Sequence, residues 1–385
     1  MKTPVALVEC KEYDQKLVDD ALKKALDLLG GIDKFIHPGQ KVLLKINLLS
    51  GKEPEKAVTT HPTILRGMIK LIKELGAIPL VGDSPASEGN NNYEKYIKIL
   101  TIAGLKQVAD ETGTEILHFN SSRVDIINPE AHAFKKFTIS GELSKTDVLI
   151  NMPKLKTHGL ALLTGSLKNT FGCIPGMLKG QLHMRAPHRP EFSQMIVDFY
   201  TFIKPKIVLN IMDAVIGVEG NGPGSGDPRK IGAIIAGVDG VAVDSVACRI
   251  VGKDPYALLT CKFAEEQGRG IANPDKIEVL GEKIEKFLIN DFKVIEADVS
   301  GSRLFSFLIR TFRSPTTAKP VISAKKCTKC NTCVESCPVN AMAMEKKSPA
   351  IDYNTCIRCY CCQEICPEGA ITLKKGMLYK LLAKG

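Results

Sequence analysis

Two cysteine runs of identical spacing near the end of this chain constrain its fold more than any other feature. The first reads Cys327-x-x-Cys330-x-x-Cys333-x-x-x-Cys337-Pro338, and the second reads Cys356-x-x-Cys359-x-x-Cys362-x-x-x-Cys366-Pro367, at a constant offset of 29. The same offset carries Ala341 onto Ala370, Met344 onto Leu373 and Ile322 onto Ile351. Each cysteine loop is therefore expected between short strands, with the two halves related by a pseudo-two-fold.

Three close cysteines and a trailing Cys-Pro form the ligand run of bacterial-type iron–sulfur modules, in which the fourth cysteine reaches the other cluster. On that pattern Cys327, Cys330, Cys333 and Cys366 hold one 4Fe-4S cluster. Cys356, Cys359, Cys362 and Cys337 hold a second. Zinc sites favour two Cys-x-x-Cys pairs over triplets, which argues against zinc. Cys361 falls outside both ligand spacings and is expected to be a packed thiol.

The remaining cysteines, Cys10, Cys173, Cys248 and Cys261, are scattered and form no disulfide framework. The N-terminal apolar run is too short for a signal peptide, and no apolar run is long enough to span a membrane. A reducing compartment, the cytoplasm, is the expected location. The formal charge of +10 falls to about +6 once two oxidised clusters of roughly −2 each are counted. The basic residues are spread out, there is no tryptophan, and no nucleic-acid-binding motif is present, so nucleic acid is not the expected partner. An anionic small molecule or an acidic redox partner protein fits the charge better. Nothing in the sequence sets an oligomeric state.

Ahead of the cysteines, strands alternate with helices. Strands are expected at 5–8, 41–46, 77–81, 115–119, 147–151, 206–211, 233–236 and 277–280, and helices at 15–29, 63–75, from 93, at 191–203 and near 255–267. This alternation predicts an α/β fold, a mostly parallel sheet with helices on both faces, followed by a small α+β ferredoxin-like iron–sulfur domain. The expected units are 1–285 (α/β domain), 286–319 (connector), 320–375 (two-cluster domain) and 376–385 (tail). Leu304, Phe305, Phe307, Leu308, Ile309 and Phe312 lie among Arg303, Arg310 and Arg313 in the connector, and Met377–Leu382 repeats that character. These stretches read as helices clamping the small domain, in preference to a membrane-surface anchor.

Ligands of open parallel sheets bind beyond the carboxyl ends of the strands. Four predicted strands end in polar residues: Lys45 and Asn47; Asp83 and Ser84; Asn151, Lys154, Lys156 and His158; Asp213 with Glu219. Lys154 and Lys156 are two apart, so in an extended segment they point the same way, and His158 continues that face. They form a candidate anion site, with Lys168 and Asn169 assisting. His61 and Asp83, with His158, are candidate proton-transfer groups; His61 reads equally as a helix-entry residue before Pro62. The run Gly217–Gly226 lacks both the Walker and dinucleotide spacings. It reads as a turn, a lid or an oxyanion nest. Asp239 and Asp244 read as helix-start residues.

Lys45-Ile-Asn47, Thr60-His-Pro62, Gly82-Asp-Ser84, Asn151-Met-Pro-Lys-Leu-Lys-Thr-His158, Lys168-Asn169, Asp213…Gly222-Pro223 and Asp239…Asp244 together resemble the family called domain of unknown function 362, over residues of about 3–285. The resemblance implies an α/β architecture, often fused to a two-cluster ferredoxin module, and no settled reaction. A fainter likeness to a glycine-rich stretch of lactate racemases runs from His158 to Gly176; no nickel cofactor is carried over from it. The expected function is that of an iron–sulfur redox protein, an oxidoreductase whose ferredoxin module exchanges electrons with an anionic substrate or partner held by the α/β domain. The rivals are a non-catalytic electron-transfer subunit, an iron–sulfur maturation factor, and a racemase-like enzyme with a redox switch.

Overall fold

The fold is that of a computed structural model, which describes residues 2–85, 88, 92–186, 188–294 and 318–374. The basic and apolar residues of the connector from Arg303 to Arg313, and the tail from Met377 to Leu382, lie outside the described residues.

The first strands are β1 (Thr3–Glu9), β2 (Lys41–Lys45), β3 (Ile78–Asp83) and β4 (Glu115–His118), followed by a separate hairpin of β5 (Arg123–Ile127) and β6 (Lys136–Ser140). Then come β7 (Val148–Asn151), β8 (Lys154–His158), β9 (Leu162–Thr164), β10 (Ile207–Glu219), β11 (Asp227–Gly237) and β12 (Ile277–Gly281). The main sheet runs β12-β1-β11-β10-β7-β2-β3-β4, with β8 and β9 joined to β10 at one end. Most neighbours are parallel; β11 is antiparallel to both β1 and β10.

Side-chain alternation explains the two covered faces. Val42 and Leu44 of β2, like Ala6 and Val8 of β1, join the core that holds Val18 and Leu22 of α1 (Gln15–Leu28) and Ile64 and Met68 of α2 (Pro62–Glu74). Residues of α3 (Tyr93–Ile102) and α4 (Leu105–Thr112) pack into the same core. Leu43 and Leu7 point the other way. They pack with α5 (Ser166–Thr170), α6 (Leu178–Arg185), α7 (Arg189–Ile203), α8 (Gly240–Ile250) and α9 (Leu259–Glu266). Caps set the helix starts: Asp14 accepts from Leu17 N and Asp239 from Val241 N.

Three features go beyond the sequence expectation. β10, expected to end near 211, continues through buried Val215 and Val218 to Glu219, so the glycine run 217–226 is mostly a hairpin turn, one of its three expected readings, before β11 returns. Lys154–His158, read as extended, is the strand β8, and it continues into a hairpin with β9 that the sequence did not announce. The core also continues past residue 285: Phe287 and Phe292 are buried, and Lys293 exchanges hydrogen bonds with Gly220 and Glu219.

The cysteine-rich module pairs β13 (Lys319–Ile322) with β16 (Ile371–Lys374), and β14 (Met342–Met344) with β15 (Pro349–Ile351). Each cysteine run carries a short helix, α10 (Thr332–Glu335) or α11 (Cys361–Ile365). The left-handed residues also recur at the repeat offset: Lys329 with Arg358, Asn331 with Tyr360, and Asn340 with Gly369. Such conformations cost about 1–2 kcal/mol for a residue with a Cβ. Their recurrence in both loops marks a backbone shaped to turn the thiols inward.

Candidate functional site

The cysteines surround two separate cavities. Cys327, Cys330, Cys333 and Cys366 line one. Cys337, Cys356, Cys359 and Cys362 line the other. The fourth cysteine of each run thus crosses to the other loop's cavity. Backbone N–H groups point at sulfur in both halves: Ala341 N lies 3.2 Å from Cys337 Sγ, and Ala370 N lies 3.3 Å from Cys366 Sγ. N–H donors of this kind stabilise thiolates and tune cluster potentials. The donor set and its surroundings fit 4Fe-4S clusters. Cys361 lines neither cavity.

A third cavity, of about 80 Å³, lies between the sheet and the cysteine module. That is several times the roughly 10–15 Å³ that one water needs. Its walls include Asn47, Asp83, Lys156, His158, Lys168, Asn169, Lys179 and His183 from the α/β fold, and Ser336, Cys361, Glu364 and Ile365 from the cysteine module.

The strand ends bring these groups together. At the end of β2, Lys45 forms a buried ion pair with Asp83 at the end of β3, 2.9 Å apart. Asp83 also accepts from Ser84 N and Leu48 N. Its carboxylate is thereby committed as a brace between two strand ends, though it borders the pocket. Gly172 must be glycine here, since a Cβ would sit 2.1 Å from Asp83 Oδ1. An amide chain ties the next strands: Asn47 donates to Asn169, Asn169 to Asn151, and Asn151 to Asn210, each at 2.8 Å. Asn169 is fully used in this chain and acts as a strut. Asn47 leaves its Oδ1 without a partner.

The cationic side is less committed. The Lys156 ammonium, buried, donates to Val58 O at 2.6 Å. Burial, then the neighbouring Lys168 charge, brings it down to about 7. Lys179 donates to Ser84 O and Ile174 O, and burial likewise brings it down to about 7. Lys168 is half-buried over the Phe171 ring, 4.8 Å from its centroid, and has no hydrogen bond or ion pair among the described residues.

His158 is held by the start of the β8–β9 turn. Its Nδ1 accepts from Leu160 N and Ala161 N at 3.1 Å each, so the neutral ring carries its proton on Nε2. That Nε2 lies 3.1 Å from Glu364 Oε1. Burial lowers the pKa of His158 and leaves it neutral near pH 7. Burial alone would raise the Glu364 carboxyl, but His158, His183 and Lys168 outweigh it and hold the group at about 2. Burial takes His183 down to about 4. Apart from the paired His158 Nε2 and Glu364 Oε1, three buried polar atoms at this one cavity have no hydrogen-bond partner among the described residues: Asn47 Oδ1, Thr164 Oγ1 and His183 Nδ1. An unsatisfied buried group costs about 1–3 kcal/mol, so this wall is complete only with a polar ligand or water in place.

Two residues expected at the crevice stand apart from it. Lys154 pairs with buried Asp213 at 2.9 Å and donates to Tyr13 Oη. His61 stacks on Tyr13 with ring centroids 3.6 Å apart and caps α2 by accepting from Thr63 N. The alternation along β8 does turn Lys154 and Lys156 toward the same 57–61 segment, since His61 N donates to Asp213 and Lys156 to Val58 O. A register shift in β10 separates them: Asp213 faces Lys154, and Val218, five residues on, faces Lys156. Lys154 is thus spent on Asp213, and Lys156 alone reaches the cavity.

The glycine-rich turn serves as a docking turn. Gln363 Nε2 donates to Asn221 Oδ1 and Gly222 O at 2.9 Å each, Ser225 Oγ donates to Cys366 O, and Asn221 donates to Ile371 O. A Cβ at Gly224 would lie 2.2 Å from Glu364 O, so glycine allows the close approach. Sequence reasoning missed Lys179, His183 and Glu364. Lys179 and His183 are four apart on α6, a spacing that places both on one helix face. Nothing local in the sequence marks Glu364.

Comparison with known proteins supports this division. The family model described as domain of unknown function (DUF362) matches residues 42–249, and a 4Fe-4S dicluster domain matches residues 319–367. A thylakoid-associated protein of Synechocystis is 34% identical over 286 residues, spanning 72% of this chain and 83% of that relative. Among solved structures, a Thermotoga maritima protein aligns with a TM-score of 0.39 at 13% identity over 67% of this chain and 60% of its own. The lactate racemase apoprotein of Thermoanaerobacterium thermosaccharolyticum aligns at 0.39 and 12% identity, over 69% and 58%. The chain thus spans about three fifths of those two structures, and at that score neither likeness carries an argument about activity. With more than half its residues matched by the one model and its cysteine runs by the other, the chain belongs to the DUF362 family and carries a C-terminal 4Fe-4S domain.

Proposed function

We propose that this protein is an oxidoreductase with two 4Fe-4S clusters that exchanges electrons with a small anionic substrate bound between the sheet and the second cysteine run. The observation that carries this reading is the shared wall of the third cavity. Cys361, which lines it, lies between Cys359 and Cys362, which line a four-cysteine cavity. When bound, the clusters supply single electrons at low potential. The residues of the chain do the rest. Lys156, Lys168 and Lys179 bind a carboxylate or phosphate. His158 presents its Nε2 proton, oriented by the two backbone bonds at Nδ1 and supported by Glu364. Leu48, Leu49, Phe171 and Met177 limit water on the apolar side.

The test is anaerobic purification of the full chain, mass spectrometry of co-purifying small molecules, and reoxidation of the reduced protein by the anions found. Lys168→Met is expected to slow that reoxidation while iron content holds. Reoxidation indifferent to the pocket lysines would overturn the enzyme reading in favour of a docking subunit. The half-buried and exposed thiols call for a reducing compartment, and we place the protein in the cytoplasm. Because the Synechocystis relative is named as thylakoid-associated, cell fractionation is the check on that location.

A further inference from the structure

The two cysteine runs match in spacing and differ in what covers them. In the second, Ile357 and Arg358 are half-buried and Cys359 is buried; the equivalent Thr328, Lys329 and Cys330 of the first are all exposed. Tyr360, Gln363 and Glu364 bind other parts of the chain, with Tyr360 Oη donating to Ala318 O. At the same offset, Asn331 and Glu335 bond only to each other among the described residues' side chains. The second run is covered by the rest of the chain, while Thr328–Cys330 of the first faces solvent and only Ser336, at that run's far end, reaches the pocket.

The exposed face is basic. Lys325, Lys326 and Lys329 flank Cys327 and Cys330, where the second run has Asn354, Thr355 and Arg358. Pro349, which lines the same cavity as Cys330, follows the hairpin turn that carries Lys346 and Lys347. The acidic residues nearby include Glu345, which precedes Lys346 and Lys347 in that turn, Glu335 and, on the cavity rim, Glu368, whose charge is partly offset by Lys52; the lysines outnumber them.

We propose that a small acidic one-electron carrier protein docks on the Lys325–Lys326–Lys329 face, beside Cys330. One electron leaves the reduced carrier, which is oxidised by one unit, and enters the cluster of the first run; no bond or proton changes place. Exposed lysines around a ligand cysteine suit a protein surface better than a small anion, because each ammonium is hydrated separately and no pocket gathers them. Charge complementarity of this kind acts chiefly on encounter rate and orientation.

The inference rests on the clusters of the proposed function, so iron content and cluster absorbance are measured first in every variant; their absence from the parent overturns both. The probe is a reduced plant-type 2Fe-2S ferredoxin, added to the anaerobic full-length protein. Carbodiimide cross-linking followed by peptide mapping is expected to join ferredoxin carboxylates to Lys325, Lys326 or Lys329. Calorimetric affinity should fall steeply with salt. The triple variant Lys325→Glu/Lys326→Glu/Lys329→Glu should lose roughly tenfold or more in electron-transfer rate. The control Lys23→Glu/Lys135→Glu/Lys136→Glu, equally exposed, should stay within about twofold, since distant surface charges are screened. Cross-links mapping elsewhere, or a triple variant matching the parent while it keeps its iron, would overturn the docking face and leave the pocket reading untouched.

Discussion

Lys154 and Lys156 are two residues apart on one strand, and their surroundings have opposite consequences. Lys154 sits against Asp213 and Tyr13, every polar atom of the carboxylate is used, and Lys154 lines none of the three cavities described above. Lys156 opens onto a cavity where three ammonium groups meet one carboxylate, Glu364, while Asp83 is neutralised by Lys45. The first is a closed buried ion pair. The second is an incomplete site. The comparison teaches that spacing along a strand fixes which way a lysine points, while the partner across the sheet decides whether its charge is free for a ligand.

The largest effect that tests this contrast is on stability. Lys154→Met strands Asp213 as an uncompensated buried charge, and removing one partner of such a pair costs about 3–5 kcal/mol. Chemical denaturation should show that loss, and Asp213→Asn added to it should recover part. Affinity for inorganic phosphate or for a co-purified anion should change little in the folded fraction. If Lys154→Met left stability intact and abolished anion binding, the two clusters would have to exchange roles.

The pocket should behave in the opposite way. Lys156→Met or Lys168→Met should cost about 1.5–3 kcal/mol of anion binding, the range for hydrogen bonds to charged groups. That is roughly a tenfold to hundredfold loss by calorimetry. Stability should stay within about 1 kcal/mol of the parent for Lys168→Met, because no buried counter-charge is left alone, and should fall by about 1–3 kcal/mol for Lys156→Met, which leaves Val58 O without its donor. Equal binding by the double variant would remove the anion site.

Which parts were legible follows from range. The iron–sulfur module could be read because three cysteines of each run lie within one short loop and the fourth follows at fixed spacing. The sheet could be read because Val42, Leu43 and Leu44 and their counterparts carry both faces locally. The pocket could be read only in part. Asn47, Lys156, His158, Lys168 and Asn169 come from strand ends and the turns after them. Glu364 arrives from 206 residues beyond His158, through a docking contact no local pattern encodes. The separation of Lys154 from Lys156 depends on a register shift in β10, and a β-bulge cannot be seen in the sequence of its partner strand. The docking turn reads equally as a turn, a lid or an oxyanion nest because glycine serves all three; its close approach to Glu364 O shows it as a docking turn.

A smaller effect concerns pH. Unfolded, the Lys156 side chain keeps its proton up to 10.5; folded, it loses it at about 7. Between those values the unfolded chain binds more protons, so stability of the ligand-free protein should rise with pH across that window. Lys179 contributes in the same sense. Anion binding has the opposite sign. It needs the ammonium forms, so above about pH 7 it should take up protons, and affinity should fall by up to about tenfold per pH unit for each proton taken up. Calorimetry in two buffers of different ionisation enthalpy reads that uptake directly. Lys154, already paired, should contribute none of it; proton uptake that survives in Lys156→Met and Lys179→Met together would place the titrating group elsewhere.

The smallest expected effect separates pocket wall from cluster ligand. Cys361 lies between two ligand cysteines in sequence, yet its side chain borders the anion cavity and neither four-cysteine cavity. Its Sγ makes a long 4.0 Å contact to Cys359 O and a hydrogen bond with the Cys359 thiol. Cys361→Ser keeps the size and shape, so the protein should retain its full complement of about eight irons, as two cubanes require. Stability should change by about 0.5 kcal/mol or less, as at sites outside a packed network. Cys362→Ser, one residue on, is the contrast and should lose iron. Should Cys361→Ser lose half its iron while Cys362→Ser keeps it, the ligand set would shift by one residue. The second cluster would then border the pocket directly, and Cys361 would no longer stand between them.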